Sequence, residues 1–169
     1  MIATDSKGGI FYRQERVTQY GRVFRIFKFR TMVADADKIG TQVTVQNDSR
    51  ITKIGEKLRK YRLDELPQLL NILMGDMTLV GTRPESIHYV EHYTPEMYAT
   101  LLLPAGVTSE ASILYRDEAK LLRDAENVDK VYVEKILPEK MKYNLEDIRR
   151  FSCVKEIGTI FRTVLAVVR

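Results

Sequence analysis

Residues 10–32 constrain the fold most. Ile10–Val17 (IFYRQERV) and Val23–Met32 (VFRIFKFRTM) are rich in aromatic and β-branched side chains, and Thr18–Gly21 between them is a turn-like break. The stretch therefore reads as a β-hairpin. Period-2 alternation assigns Phe24, Ile26, Lys28 and Arg30 to one face of the second strand, and Val23, Arg25, Phe27 and Phe29 to the other. Phe27 and Phe29 are expected in the core. Segment 34–46 reads as a short helix followed by a loop. Helical patterns follow at 54–61 and 66–74, then an extended segment at 77–80 that ends in Gly81-Thr82-Arg83-Pro84. Further helices are expected at 86–93, 95–103, 117–123, 128–144 and 145–168, with a loop and an extended piece over 104–113. The class is α/β (α+β) and helix-dominated, with an N-terminal hairpin and amphipathic helices.

At 169 residues, with hydrophobic residues at 44% and charged residues at 30%, the chain reads as one domain with a real core, 1–169. No apolar run approaches the roughly 18–20 residues of a membrane span. The densest runs, Leu69–Met74 and Val164–Val168, are core-sized. Asp5 and Lys7 follow Met1 too closely for a signal peptide. One cysteine, Cys153, excludes an internal disulfide and a cysteine-rich zinc site. Charge is unevenly spread: residues 1–63 hold 14 Lys and Arg against 6 Asp and Glu, and residues 64–169 hold 13 against 17. A basic front half points to an anionic partner, or else to a solvated basic face.

The chemistry concentrates in Arg59-Lys60-Tyr61-Arg62-Leu63-Asp64-Glu65-Leu66-Pro67-Gln68-Leu69. Pro67 lies just upstream of a Leu-rich helical pattern, and proline is tolerated in a first turn, where N–H groups have no intrahelical acceptor. This reading puts Asp64 at or near the helix N-cap and Glu65 in the first turn, among backbone donors and at the positive end of the helix dipole. Two interpretations fit. In one, Asp64 only caps and Glu65 adds a favourable charge. In the other, the pair works with Arg59, Arg62 and an arginine from the Gly75–Pro84 turn, Arg83, as a metal–diphosphate site. Spacing leaves both open.

Several motifs occur in order. They are Gly9–Arg16 (GIFYRQER), Lys28–Met32 (KFRTM), Asp48–Gly55 (DSRITKIG), Leu58–Lys60, Leu63–Gln68 (LDELPQ), and Gly75-Asp76-Met77 with Val80-Gly81-Thr82-Arg83-Pro84. From about Gly8 to the C-terminus, including Leu137-Pro138-Glu139-Lys140, the chain resembles the bacterial sugar transferases, the monotopic polyprenyl-phosphate phosphoglycosyl transferases. The resemblance implies a catalytic domain that moves a sugar-1-phosphate from a nucleotide diphosphate sugar, usually a UDP-sugar, onto a polyprenyl phosphate, releasing the nucleoside monophosphate. It implies Asp64 as a nucleophile forming an aspartyl phosphosugar, Mg²⁺ held by Glu65 with Asp64, and Arg59 and Arg83 around the phosphates. Lys28 and Arg30 join them as supporting charges. The implied setting is the cytoplasmic membrane surface of a bacterium. Nucleic-acid binding would rest only on the front-half charge, with no recognition motif, and is not expected.

Three departures stand out. The hydrophobic re-entrant helix that usually precedes the Gly8–Arg16 segment is not in this sequence, so the expectation is a catalytic domain truncated at its N-terminus. Thr82 stands where proline is common, which loosens the turn, and Ala105–Ser109 (AGVTS) replaces a more usual Pro-Gly-Ile-Thr-Gly. Other signals are weaker. His88 and His92 read as surface or packing residues and Cys153 as a packing residue. Phe151, Val154, Ile157, Phe161 and Leu165 form a stripe that suits either an interfacial or a core-packing helix. The competing function is a non-catalytic anion- or membrane-binding module of the same fold. Two carboxylates in a basic pocket disfavour it.

Overall fold

The computed structural model describes residues 2–36, 39, 43–45, 48–123 and 125–168. Residues 37, 38, 40–42 and 46, within the segment read as short helix and loop, lie outside the described residues. After a short helix α1 (Ile2–Asp5), the hairpin forms where alternation placed it. β1 (Phe11–Val17) pairs antiparallel with β2 (Val23–Phe29), with Phe11 opposite Phe29 and Val17 opposite Val23. Phe24 and Ile26 are buried and pack with Met77 and Ala105, and Lys28 continues the same face. The opposite face corrects one expectation. Phe27 and Phe29 are only half-buried and pack with exposed Phe11, stacked on Phe29 at 5.6 Å between ring centroids. They form a cluster on the outer side of the ribbon, with Arg13 over the Phe27 ring at 4.0 Å.

Helix α2 (Lys53–Lys60) starts at Thr52, whose hydroxyl accepts from the Gly55 N–H at 3.0 Å. A Cβ on Gly55 would sit 2.0 Å from the Thr31 carbonyl oxygen, so glycine is what lets α2 lie against the segment leaving β2. A second glycine-dependent approach joins β3 (Met77–Val80) to its parallel partner β4 (Ala105–Thr108), since a Cβ on Gly106 would fall 2.2 Å from the Gly81 nitrogen. Thr18 stitches the hairpin to this pair. Its hydroxyl donates to the Asp76 carbonyl at 2.9 Å and accepts from the Ala105 N–H at 3.1 Å.

Between β2 and β3 lies α3 (Gln68–Leu73), an inverted helix. Gln68 and Asn71 are fully buried, whereas Leu69, Leu70 and Leu73 are exposed, Leu73 to 83%. Asn71 faces inward because it serves the backbone of β2. Its side chain accepts from the Phe27 N–H at 2.8 Å and donates to the Arg25 carbonyl at 3.1 Å. Within the Leu69–Met74 run, Leu69, Leu70, Leu73 and Met74 therefore face outward, and of its apolar residues Ile72 packs against the core of Phe24 and Met77.

The crossover from β3 to β4 carries α4 (Ile87–Val90) and the 3₁₀ segment Met97–Leu102. After β4 come α5 (Glu110–Leu114), α6 (Glu118–Leu121), α7 (Val128–Val131), a π-helical turn (Tyr132–Ile136), α8 (Leu137–Arg149) and α9 (Cys153–Val168). The break before α9 falls at 150–152, not after Asn144. The π turn leads into the first turn of α8, where Pro138 lacks an N–H to return. The larger core joins Val17, Tyr89, Tyr93 and Met97 to Tyr132, Ile136, Leu137 and Met141. On α9 the core-packing reading is overturned. Thr159 is buried, while Val154, Ile157, Phe161, Val164, Leu165 and Cys153 are exposed. The architecture is α/β and helix-dominated.

Candidate active site

The end of β2, α2 with the turn after it, the loop after β3 and the start of α6 converge on one polar cavity of about 600 Å³. Asp64 and Glu65 do not cap α3. They lie in a separate 3₁₀ turn, Leu63–Glu65, and Pro67 takes the N-cap position of the helix. The cause is Arg62, a non-glycine residue at φ 53° and ψ 20°, which reverses the chain before the turn. A left-handed residue of this kind costs about 1–3 kcal/mol, and the surrounding contacts hold it there. Asp64 is consequently free of the capping role. It is buried, and its Oδ1 has no hydrogen-bond partner.

Glu65 has the opposite circumstances. The Arg83 guanidinium forks onto it, Nη1 to Oε2 at 3.0 Å and Nη2 to Oε1, with Lys28 Nζ at 3.8 Å and Arg62 Nη1 at 3.9 Å. Burial opposes its ionisation, but Arg83, Lys28 and Arg62 outweigh it and hold the carboxylate well below the usual range. Arg83 is raised by Glu65 in turn. The Asp64 carboxyl is pushed up, by burial and then by the charge of Glu65, against the pull of Lys28, Arg59 and Arg62. Burial and the charge of Arg83 lower the Lys28 ammonium to about 8. Their surroundings thus drive the two adjacent carboxyls in opposite directions, Asp64 up and Glu65 down.

Arg59 lines the cavity and is steadied by donating from Nε to Thr31 Oγ1 at 2.8 Å. Arg83 arrives from a turn pinned by backbone bonds from Gly81 N to Thr108 O (2.9 Å) and Gly106 N to Thr82 O (2.8 Å), so Thr82 does not leave it loose. Arg30 is not brought in. It is buried against the N-terminal loop, its guanidinium donating to the carbonyls of Ser6, Lys7, Gly8 and Gly9 and to the Ser6 hydroxyl. It shares a face with Lys28, but β2 has ended at Phe29, and beyond the strand that face meets the loop and not the cavity.

The opposite wall was not anticipated. Glu85 accepts from Tyr132 Oη at 2.7 Å and pairs with Lys140 at 3.6 Å and Arg16 at 3.9 Å, and Lys140 reaches Glu118 at 2.8 Å. Burial works against the Glu85 carboxylate, yet Lys140 and Arg16 hold its pKa down. A signal was present in the sequence: Lys140 interrupts the apolar stripe of Ile136, Leu137 and Met141, and a charge in such a stripe needs a buried partner.

Among the described residues, no group of three or more His, Cys, Asp or Glu forms that could hold a metal. His88 and His92 are exposed. Mg²⁺ asks for less, one or two carboxylates with water and phosphate oxygens completing its shell. The orphaned Asp64 oxygen beside a second carboxylate fits that requirement.

A 3₁₀ turn thus sets a buried Asp64, one of whose carboxylate oxygens has no partner, against a cavity lined by arginines and lysines. The sequence matches the bacterial sugar transferase family over residues 1–169, and the chain belongs to that family. It is 32% identical over 168 residues to a UDP-N-acetylgalactosamine-undecaprenyl-phosphate N-acetylgalactosaminephosphotransferase of Aeromonas hydrophila, covering 97% of this chain and 36% of that protein. It is 35% identical over 168 residues to a UDP-glucose:undecaprenyl-phosphate glucose-1-phosphate transferase of Escherichia coli K12, covering 96% and 33%. An exopolysaccharide production protein of Rhizobium leguminosarum is 38% identical over 120 residues, covering 67% and 60%. The chain thus spans about a third of the length of the first two relatives.

Proposed function

We propose that this chain transfers a sugar-1-phosphate from a UDP-sugar to a polyprenyl phosphate, through a covalent intermediate on Asp64 and with release of UMP. The observation that carries the reading is the buried, unpartnered Asp64 oxygen beside a Glu65 held ionised by Arg83. The family membership and the substrates named for the relatives support it.

In the first step an Asp64 oxygen attacks the sugar-bearing phosphorus. The bond from that phosphorus to the bridging oxygen breaks, and UMP departs with the electron pair. In the second, a phosphate oxygen of the acceptor attacks the same phosphorus, the bond to Asp64 breaks, and the carboxylate is restored. Lys28, Arg59 and Arg83 offset the repulsion between carboxylate and diphosphate and stabilise the charge that develops on the departing phosphate. Fixed by Arg83, Glu65 keeps its charge and orientation through both steps. Asp64 and Glu65 would hold Mg²⁺, which when bound supplies further neutralisation of the diphosphate.

The proposed place of work is the cytoplasmic face of a bacterial inner membrane, as an early membrane step of glycoconjugate or exopolysaccharide assembly. The outward leucines of α3 and the outward Phe161, Val164 and Leu165 of α9 suit a lipid surface, and no helix among the described residues is long and apolar enough to cross one. Nucleic acid is not a proposed partner, because Lys28, Arg59 and Arg16 of the basic front half line the cavity.

The test supplies Mg²⁺, a panel of UDP-sugars and a polyprenyl phosphate in lipid–detergent mixtures. UMP release is expected, together with a protein mass increase of one sugar-phosphate when the acceptor is withheld. Both vanish in Asp64→Asn. Turnover that persists in that variant overturns the nucleophile assignment, and ligand retention without UMP release under any donor favours the binding-module reading.

A further inference from the structure

The left-handed Arg62 stands in a conformation that arginine does not favour, and within its own turn its side chain has one long ion pair, to Glu65 at 3.9 Å. The stronger contact lies elsewhere. Nη2 donates to the backbone carbonyl of Arg116 at 2.7 Å, in the connection between α5 and α6. Arg116 is fixed in turn by α9. Its Nη1 donates to the Ala166 carbonyl in the last turn of that helix, where carbonyls have no intrahelical partner. Two more contacts hold this end of α9 in place: Thr163 Oγ1 and Thr108 Oγ1 are hydrogen-bonded at 2.7 Å, and Arg162 Nη1 donates to Glu110 Oε1 at 3.0 Å. A continuous run of hydrogen bonds therefore leads from an outer helix to the residue that reverses the chain before Asp64. The Arg62 carbonyl completes it by accepting from the Glu65 N–H at 3.4 Å.

We propose that Arg116 is a positioning residue for Asp64: by bridging the last turn of α9 and the Arg62 guanidinium, it keeps Arg62 left-handed and the Leu63–Glu65 turn facing the cavity. The inference rests on the proposed transferase reading, in which Asp64 is the nucleophile. Its leverage is geometric. A nucleophile displaced by about 1 Å from its line of attack can lose about 10²-fold in rate, and a turn that depends on one unfavourable backbone conformation is easily displaced. The bridge also couples the turn to the surroundings of α9, since Val164 and Leu165, next to Ala166, are exposed and apolar. Arg116 lines the polar cavity as well, so a direct contact with substrate is the competing role that the experiment must separate.

The experiment uses the full chain in detergent and two measurements: amide hydrogen exchange without substrate, and the single-turnover rate of the Asp64 sugar-phosphate adduct with UDP-sugar and Mg²⁺, acceptor withheld. In Arg116→Met, exchange of the hydrogen-bonded Arg62, Glu65 and Leu66 amides is expected to rise about tenfold or more, together with the last turn of α9. Adduct formation is expected to slow about 10²-fold, with the half-saturating UDP-sugar concentration changed less than about threefold. Arg116→Lys, which keeps one cationic donor, should recover part of both effects, and unfolding curves check that each variant folds. The decisive comparison is made in an Arg62→Gly background. Glycine adopts the left-handed conformation without steric cost, so adding Arg116→Met there should slow adduct formation by less than about threefold. A full 10²-fold loss in that background overturns the proposal and makes Arg116 a substrate contact. Turn exchange in Arg116→Met equal to that of the parent overturns it too. The two readings fail separately. Linked exchange of α9 and the turn, with no adduct from any donor, upholds the bridge and removes the transferase, whereas adduct formation with unlinked exchange does the reverse.

Discussion

The two sides of the Leu63–Glu65 turn are built on opposite principles. Toward the interior, Asp64, Glu65, Arg59, Lys28, Glu85 and Lys140 crowd a cavity wall where charge is normally excluded. Toward the exterior, Leu66, Leu69, Leu73, Phe161 and Leu165 face outward where polar side chains are the rule. Each arrangement costs stability, through desolvated charge on one side and unburied apolar surface on the other. The proposed function gives each side a use: an anionic, water-soluble group inside and an apolar phase outside. Removing a charge inside should therefore change activity more than stability wherever that charge is unpaired, and changing an apolar residue outside should change membrane binding but not folding.

The largest expected effect tests the interior. Asp64→Asn should reduce sugar-phosphate transfer by on the order of 10⁴-fold or more. The same variant should unfold at a temperature equal to or above that of the parent, because a carboxylate with a raised pKa is a disfavoured charge in the folded state. A lowered melting temperature would mean that Asp64 has an architectural partner. Arg83→Met should be costly in both respects, because it strands Glu65. Expected are about 10²–10³-fold in kcat and about 2–3 kcal/mol in denaturant unfolding, the lower end for a buried pair since Arg83 is partly exposed.

Next comes the frame that positions Arg59. Gly55→Ala should destabilise by about 2–4 kcal/mol, since the clashing atom is a backbone oxygen and cannot swing aside. A neutral result in urea would show that α2 is not docked as described. Glu85→Gln gives a smaller, pH-dependent effect. The folded carboxylate lies below its ordinary value of 4.5, so its contribution is complete above that pH and fades as pH falls through the lower folded value. The parent should be more stable than the variant at neutral pH, and the gap should close below about pH 4.5; a gap that is constant with pH excludes the ionised carboxylate as its source.

The smallest folding effect is expected outside. Leu73→Glu and Phe161→Glu should leave unfolding free energy within about 0.5 kcal/mol of the parent. Sedimentation with anionic vesicles should nevertheless fall. A loss of stability comparable to that of Gly55→Ala would mean that these side chains are covered, and the contrast between the two sides would collapse.

The hairpin was legible because period-2 alternation over 10–32 is long and is bounded by a clear turn, and the same alternation put Lys28 on the face that reaches the cavity. The acidic pair with Arg59 and Arg83 was legible as a group, because the motifs that carry them occur in order along the chain. The cap assignment for Asp64 was not correct, since a left-handed Arg62 is not written in local propensity and arginine has no special preference for that conformation. Arg30 shared the right face with Lys28 but lay past the end of the strand. The network of Glu85, Tyr132 and Lys140 joins residues 47 and 55 positions apart from Glu85 along the chain only after α8 packs against the hairpin-proximal core.

The sequence by itself determined which residues share a face: alternation does so in β2, and helical spacing does so in α3 and α9. It could not determine which of those faces points inward. In α3 the backbone of β2 required Asn71 as a partner, and in α9 Thr163 met Thr108 at 2.7 Å, so in both helices hydrogen bonding took part of the inner face and left Leu69, Leu70 and Leu73 of α3 and Val154, Phe161, Val164 and Leu165 of α9 outside. Periodicity is a property of one element, whereas inside and outside are set by what the neighbouring element offers, and only the tertiary structure supplies that neighbour.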